Sequence, residues 1–150
     1  LDVVRELLGA DGIQANQART TDGITPLYIA CQKGHLDVVR ELLGADGIQA
    51  NQAQTTTGCT PLFQACQNGH LDVVRALLGA DGIQANQANQ KSQTPINIAA
   101  DKGHVDVVRL LLSVPGIDVT TADAWGTTPL EIARESGHGA VVSVLESFSS

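Results

Sequence analysis

The chain has 150 residues, the size of one ordinary domain, and 43% of them are hydrophobic, enough to bury a continuous core. Nine Lys and Arg against 16 Asp and Glu give a net charge of −7, which argues against a nucleic-acid partner, because phosphate binding draws on clustered cations. No stretch approaches the roughly 18 consecutive apolar residues of a membrane span, and the opening Leu1, Asp2, Val3, Val4 and Arg5 do not form a signal peptide.

Cys31, Cys59 and Cys66 are odd in number and not closely paired. That pattern disfavours a disulfide framework or a CxxC metal knuckle and fits a reducing compartment, so an intracellular, cytoplasmic setting is expected. Methionine is absent, including at position 1, and the chain is expected to be cut from a longer protein.

An internal repeat organises everything else. Gly34, His35, Leu36, Asp37, Val38, Val39 and Arg40 recur as Gly69 to Arg75 and, with Val for Leu, as Gly103 to Arg109; Gly137, His138, Gly139, Ala140, Val141 and Val142 form a weaker fourth copy. The four histidines stand 35, 34 and 34 residues apart. Ahead of each lies a second signature: Thr25-Pro26-Leu27, Thr60-Pro61-Leu62, Thr94-Pro95-Ile96 and Thr128-Pro129-Leu130.

In chain order, Leu1 to Leu8 reads as a helix in phase with Leu36 and missing its partner. Val3, Val4, Leu7 and Leu8 should leave part of an apolar face open, and further units are expected to precede it. Each later unit opens at its Thr-Pro step, where Thr supplies an N-cap oxygen and Pro takes the first helical position, whose N–H would go unpaired anyway. Gly34, Gly69, Gly103 or Gly137 then adopts the positive φ that stops this helix and reverses the chain. In the second helix Leu36, Val39, Leu42 and Leu43 share one face, with Asp37 and Arg40 spaced to pair on the wet face; Asp2 with Arg5, Asp72 with Arg75 and Asp106 with Arg109 repeat this. A turn rich in Gly, Asp and Asn (Gly44 to Asn51, for example) leads through a hairpin-like finger to the next Thr-Pro. Two short helices cannot enclose a core alone, so stacked units must close it together.

The order Gly-x-Thr-Pro-Leu, Ala, Gly-His-x-x-Val-Val, Leu-Leu and a turn with Asn resembles the ankyrin repeat over essentially the whole chain. The resemblance implies an all-α fold: a right-handed ankyrin-repeat solenoid of stacked helix-turn-helix units with hairpin-like loops, four near-complete repeats plus a leading half repeat. Residues 1–150 then form one array, with a half repeat at 1–19, repeats at 20–54, 55–88 and 89–122, and a C-terminal capping repeat at 123–150. Arg134 and Glu131 give that cap its polar character, and Ser149 and Ser150 are expected to fray. The sequence departs from the family where His usually follows Thr-Pro-Leu and Tyr28, Phe63, Asn97 and Glu131 stand instead. It departs again in unit length, with the extra residues expected at the turn after the second helix, and at Ser92, which replaces the Gly of the other hairpins.

No catalytic, cofactor or metal residues emerge. Equivalent histidines of packed helices sit about 8–10 Å apart, too far to share a zinc ion that holds each nitrogen at about 2.0–2.1 Å. His35, His70, His104 and His138 are therefore expected to fix the helix-turn-helix corner by hydrogen bonds. Cys31 and Cys66 are expected to be buried hydrophobes and Cys59 an exposed thiol at a hairpin. The Gly-Ala-Asp-Gly steps lack the ligand ladder of a calcium loop and read as turns. No Walker loop, GxGxxG, HExxH or GxSxG is present, so no enzyme activity is expected.

The resemblance implies non-catalytic protein–protein recognition through a concave groove of hairpin tips and first helices. Carried over by register, the partner-binding positions are Thr21, Asp22 and Ile24; Thr56, Thr57 and Cys59; Gln90, Lys91 and Gln93; Trp125; and, on the first helices, Gln32, Lys33, Gln67, Asn68, Asp101 and Lys102. Apart from the Asp/Arg pairs, Arg19, Lys33, Lys91, Lys102 and Arg134 map to the groove side or its lip, opposed by Asp22, Asp101, Asp123, Glu131 and Glu135. Glu6, Asp11, Glu41, Asp46, Asp81, Asp118 and Glu146 fall behind it, so a protein surface fits better there than a charged polymer. Trp125 reads either as a binding anchor or as packing over the neighbouring hairpin, and Tyr28 and Phe63 as inter-repeat packing. The expected partner is a protein, with no nucleic acid or membrane, and the chain is expected to be a monomer. The alternative is a spacer or self-associating segment with no dedicated ligand, joined end to end through its uncapped N-terminal face.

Overall fold

The structure is a computed structural model that describes residues 15–148. The leading helix at Leu1 to Leu8, with its open face and its Asp2/Arg5 pair, and the terminal Ser149 and Ser150 lie outside the described residues. Among those described, eight helices and no strand are formed: α1 Pro26–Lys33, α2 Leu36–Leu43, α3 Pro61–Gln67, α4 Leu71–Leu78, α5 Pro95–Asp101, α6 Val105–Leu112, α7 Pro129–Glu135 and α8 Gly139–Phe148. They pair as α1/α2, α3/α4, α5/α6 and α7/α8. First helices stack on first helices (α1, α3, α5, α7) and second on second (α2, α4, α6, α8), which is the ladder of a solenoid.

Local chemistry starts each pair where the sequence places it. The hydroxyl oxygens of Thr25, Thr60, Thr94 and Thr128 accept the N–H three residues on, with Pro at the first helical position each time. Asn97 and Glu131 complete capping boxes: the backbone N–H of Thr94 donates to Asn97 Oδ1 at 3.0 Å, and that of Thr128 to Glu131 Oε2 at 2.8 Å. The Asp/Arg pairs of the second helices do not form; among the described residues no ion pair joins Asp37 to Arg40, Asp72 to Arg75 or Asp106 to Arg109. Each Asp lies in the first turn and each Arg in the last, so both complement the helix dipole from opposite ends of a short helix.

The core is shared between units. Leu27, Leu62 and Ile96 on the first helices and Val39, Val74 and Val108 on the second are at most 1% exposed. Cys31, Cys66 and Ala100 fill the same layer and are fully buried. At the position of Cys31 the last unit has Arg134, which reaches across the end of the stack to Glu146 of α8 at 2.6 Å. This corrects the expectation that Arg134 belongs to the groove side or its lip and Glu146 to the opposite face.

Three rows of hydrogen bonds tie consecutive units. At the corners, the histidines bond to the preceding unit rather than to their own turn, which revises their expected role: Nε2 of His70, His104 and His138 lies 3.1, 3.1 and 2.9 Å from the carbonyls of Gln32, Gln67 and Asp101. A carbonyl can only accept, so each Nε2 carries the proton. At the outer turns, Asn16, Asn51 and Asn86 donate Nδ2–H to the carbonyls of Gly47, Gly82 and Gly116, each at 2.8 Å. Their Oδ1 atoms accept the N–H of Gln49, Gln84 and Asp118. At the hairpin tips, the N–H groups of Thr55, Gln90 and Ala124 donate to the carbonyls of Asp22, Thr57 and Lys91, all at 2.9 Å.

The residue that separates the 35-residue unit from the 34-residue ones sits at the hairpin. Gln54 and Cys59 close the second finger, whereas Asn89 and Gln93 close the third, one residue tighter. In the tighter loop Ser92 adopts φ +54°, a left-handed conformation that its side chain disfavours, and the Gly residues of the other hairpins take φ of +71° to +82°.

The corner glycines answer to two constraints that can be separated. Gly69 (φ +70°) faces the ring of His104, which a Cβ would approach to 2.7 Å, whereas Gly137 (φ +75°) has nothing within 4 Å of that position. Gly137→Ala should cost about 1–2 kcal/mol for its backbone alone, and Gly69→Ala about 1–3 kcal/mol more for displacing the ring. Urea unfolding of the two variants measures the difference, and equal costs would show that the ring yields freely. At the last outer turn, Asp118 Oδ2 accepts the Thr121 hydroxyl (2.6 Å), and Oδ1 accepts the Thr120 hydroxyl and N–H (both 2.7 Å). These bonds, that of Thr121 foremost, hold its carboxyl down at about 2. The folded value lies below the unfolded one of about 3.9, so the stabilisation is complete above that pH and is lost as pH falls toward 2. Asp118→Asn should therefore be less stable at neutral pH, with the gap to the parent chain closing through that acid window in pH-dependent denaturation.

Candidate functional site

Hairpin fingers and first helices together form a groove with two hollows. The first, about 370 Å³, has Tyr28, Phe63, Gln64, Gln67 and Ile98 on its helical side and Gln54, Thr56, Thr57, Cys59, Asn89, Gln90 and Lys91 on its hairpin side. The second, about 260 Å³, is lined by Asp101, Asp123, Trp125, Thr127, Ile132, Glu135 and Ser136. Gln93 borders both and makes them neighbours.

The first hollow is a surface of amides and hydroxyls over an aromatic floor. Tyr28 and Phe63 are only 4% and 3% exposed, as packing residues should be, yet their edges form that floor. The Tyr28 hydroxyl donates to Gln54 Oε1 at 3.5 Å. Burial first, then the neighbouring Cys59 and Asp22, push the Tyr28 phenol up to about 12, so it stays protonated. Asn89 organises the third finger, its Oδ1 accepting the N–H groups of Lys91 (2.9 Å) and Gln93 (3.0 Å). Asp123 does the same in the fourth for Trp125 and Thr127, both at 3.0 Å.

The groove thus gathers Thr56, Thr57, Cys59, Gln67, Gln90, Lys91, Gln93, Asp101 and Trp125 from the expected positions. The rest stay outside both hollows. Asp22 pairs with Arg19, whose hydrogen bond holds the carboxyl below its usual range. Ile24 packs on the core, Thr21 and Lys33 are exposed, and Gln32 lends its carbonyl to His70. Asn68 donates to the carbonyl of Gln64 (2.9 Å), and Lys102 pairs with Asp101 (2.8 Å). Gln64, Ile98 and Ile132 were not among the expected contacts. Each lies three residues before an expected groove-side position, Gln67, Asp101 or Glu135, and so shares its helix face; that spacing was the available signal.

On the opposite side, the outer turns leave a broader hollow of about 870 Å³ bounded by residues such as Gly44, Gly47, Ala80 and Asp81. Its walls are a repeating element: Gly-Ala-Asp-Gly-Ile-Gln-Ala-Asn-Gln stands unchanged at 9–17, 44–52 and 79–87.

A family model described as Ankyrin repeats (3 copies) matches residues 1–89, and another described as Ankyrin repeats (many copies) matches residues 80–133. The chain belongs to the ankyrin repeat family. No curated protein matches it. Ankyrin repeats are in general protein–protein interaction modules and are typically non-catalytic. Among the described residues no helix is long and apolar enough to cross a membrane.

One expected feature of this ankyrin groove is overturned. Cys59 is 7% exposed, not an open thiol, because it sits on the returning arm of its hairpin, just before the Thr60 cap, with Asn89 of the next finger over its sulfur at 3.7 Å. Cys31 and Cys66 are buried in the inter-unit layer, and burial pushes both thiols up, Cys31 to about 12. All three cysteines are free. A thiol-reactive chromogenic reagent at neutral pH should therefore find the three thiols of the native chain slow and all three fast in denaturant, and rapid labelling of Cys59 in the native chain would contradict its burial.

Proposed function

We propose that this ankyrin array, residues 1–150 in units 20–54, 55–88, 89–122 and 123–150 after a half unit at 1–19, binds a partner protein through the groove of hairpin tips and first helices. The contrast between its two faces carries this reading. Three of the four outer turns repeat one nine-residue sequence, as a structural element would, and the fourth, 113–121, departs from it, whereas no two finger tips agree: they change from Thr56-Thr57 to Gln90-Lys91 to Ala124-Trp125 at equivalent places in one frame. A partner is distinguished by side chains that differ along a surface, and along the groove they change at every tip.

The groove's chemistry narrows the mode of binding. Six amide side chains line the first hollow: Gln54, Gln64, Gln67, Asn89, Gln90 and Gln93. Asn89 and Gln54 Oε1 are already engaged, but the remaining amide groups still offer both donors and acceptors, which match the alternating N–H and C=O groups of an extended peptide segment. Trp125, 67% exposed at the far end, offers the large aromatic surface that dominates many binding sites. Lys91 from the neighbouring finger lies over its ring, 5.6 Å from the centroid, so the two earlier readings of Trp125 meet: the ring leans on its neighbour and remains open.

The test compares proteins captured from lysate by the chain, by a groove variant (Thr57→Glu, Gln90→Glu, Trp125→Ala) and by an outer-turn variant (Asp46→Ser, Asp81→Ser). The reading expects a set of proteins retained by the parent and outer-turn chains and lost, at least about tenfold, from the groove variant. Equal capture by all three correctly folded chains would reject it.

A further inference from the structure

Asn89 and Asp123 occupy the same place in consecutive fingers and do the same work, each accepting two loop N–H groups through Oδ1. The neutral amide of Asn89 suffices for that work, so the negative charge of Asp123 is surplus to the loop. Asp123 is 9% exposed, and among the described residues no donor reaches its Oδ2. That oxygen is not sealed from solvent, so water answers it until a cation, a stronger partner for a carboxylate, takes the place.

The surroundings of that oxygen favour one kind of visitor. Asp123 lines the second hollow with Asp101, Glu135 and Trp125. Asp101 is answered by Lys102 at 2.8 Å, but among the described residues neither Asp123 nor Glu135 joins an ion pair. Among the described residues no cationic side chain lines this hollow, and Lys91 lies 5.6 Å from the centroid of the Trp125 ring, an arrangement that favours a positive group at an indole face.

We propose that this hollow receives an arginine side chain of the bound partner segment. A guanidinium is planar, so it can lie on the exposed indole while its N–H fork donates to the carboxylates, a combination that the compact, strongly hydrated ammonium of lysine matches less well. This inference rests on the groove reading above and adds the partner's chemistry: an extended segment whose backbone meets the amides of the first hollow and whose arginine enters the second.

Peptides selected from a random display library on the immobilised chain provide the test. Each is resynthesised with arginine replaced by citrulline, which keeps the shape and loses the charge, and is titrated into the parent chain and Asp123→Asn. Backbone amides of Gln64 and Gln90 and the Trp125 indole are followed by NMR. Asn89 shows that an amide sustains this loop, and an unchanged Tm verifies the variant. We expect arginine at one fixed register, a loss of at least about tenfold with citrulline on the parent chain, and little further loss with citrulline on Asp123→Asn. Groove-bound peptides that lack a fixed arginine, carry lysine in that register, or feel citrulline equally on both chains overturn the inference while leaving the groove reading intact. Peptides that never perturb Gln64 or Gln90 overturn both.

Discussion

The helix pairs of this chain are too thin to have an interior, and that constraint organises the rest of the structure. α3 and α4 enclose almost nothing by themselves, yet Leu62, Cys66 and Val74 are at most 1% exposed because the flanking pairs lean on them from both sides. Apolar contact of this kind is non-directional and would permit units to slide or rotate against one another. Direction comes from the polar rows: histidine to carbonyl at the corners, asparagine to glycine carbonyl at the outer turns, and backbone to backbone at the finger tips. Three attachment lines across the width of the inner units fix their position, two hold the last unit, and the groove inherits that fixity.

Much of this was legible in the sequence. The Thr-Pro starts, the corner glycines and the buried face of the second helices follow from local rules that act within a few residues, and the repeat multiplies each signal. What escaped notice acts between units. Nothing near His70 says that its partner is the carbonyl of Gln32, and Asn51 reads as a turn former until the next unit's Gly82 is seen beside it. The Asp/Arg pairs failed for the opposite reason: spacing allowed them, but a short helix with its acid at one end and its base at the other already satisfies both charges.

The site shows the same division. Gln90, Lys91, Gln93 and Trp125 line the two hollows at the places that register gives them, because a finger tip is fixed by its distance from the Thr-Pro step. Cys59 was misread because burial at a hairpin depends on the following finger, whose Asn89 comes thirty residues later in the chain. Arg134 was misread because the end of a stack creates an environment that no inner unit has, and its guanidinium turns there to meet Glu146.

The single-residue difference between the second and third fingers has a broader meaning. Gln54 to Cys59 and Asn89 to Gln93 differ in length, yet the cross-finger bonds at Gln90 and Ala124 persist, and the corner and outer-turn attachments on either side are undisturbed. A loop anchored at both flanks can gain or lose length without passing the change down the stack. The contour of this surface is thus open to revision by insertion and deletion as well as by substitution, one rung at a time, while the scaffold beneath keeps its pitch.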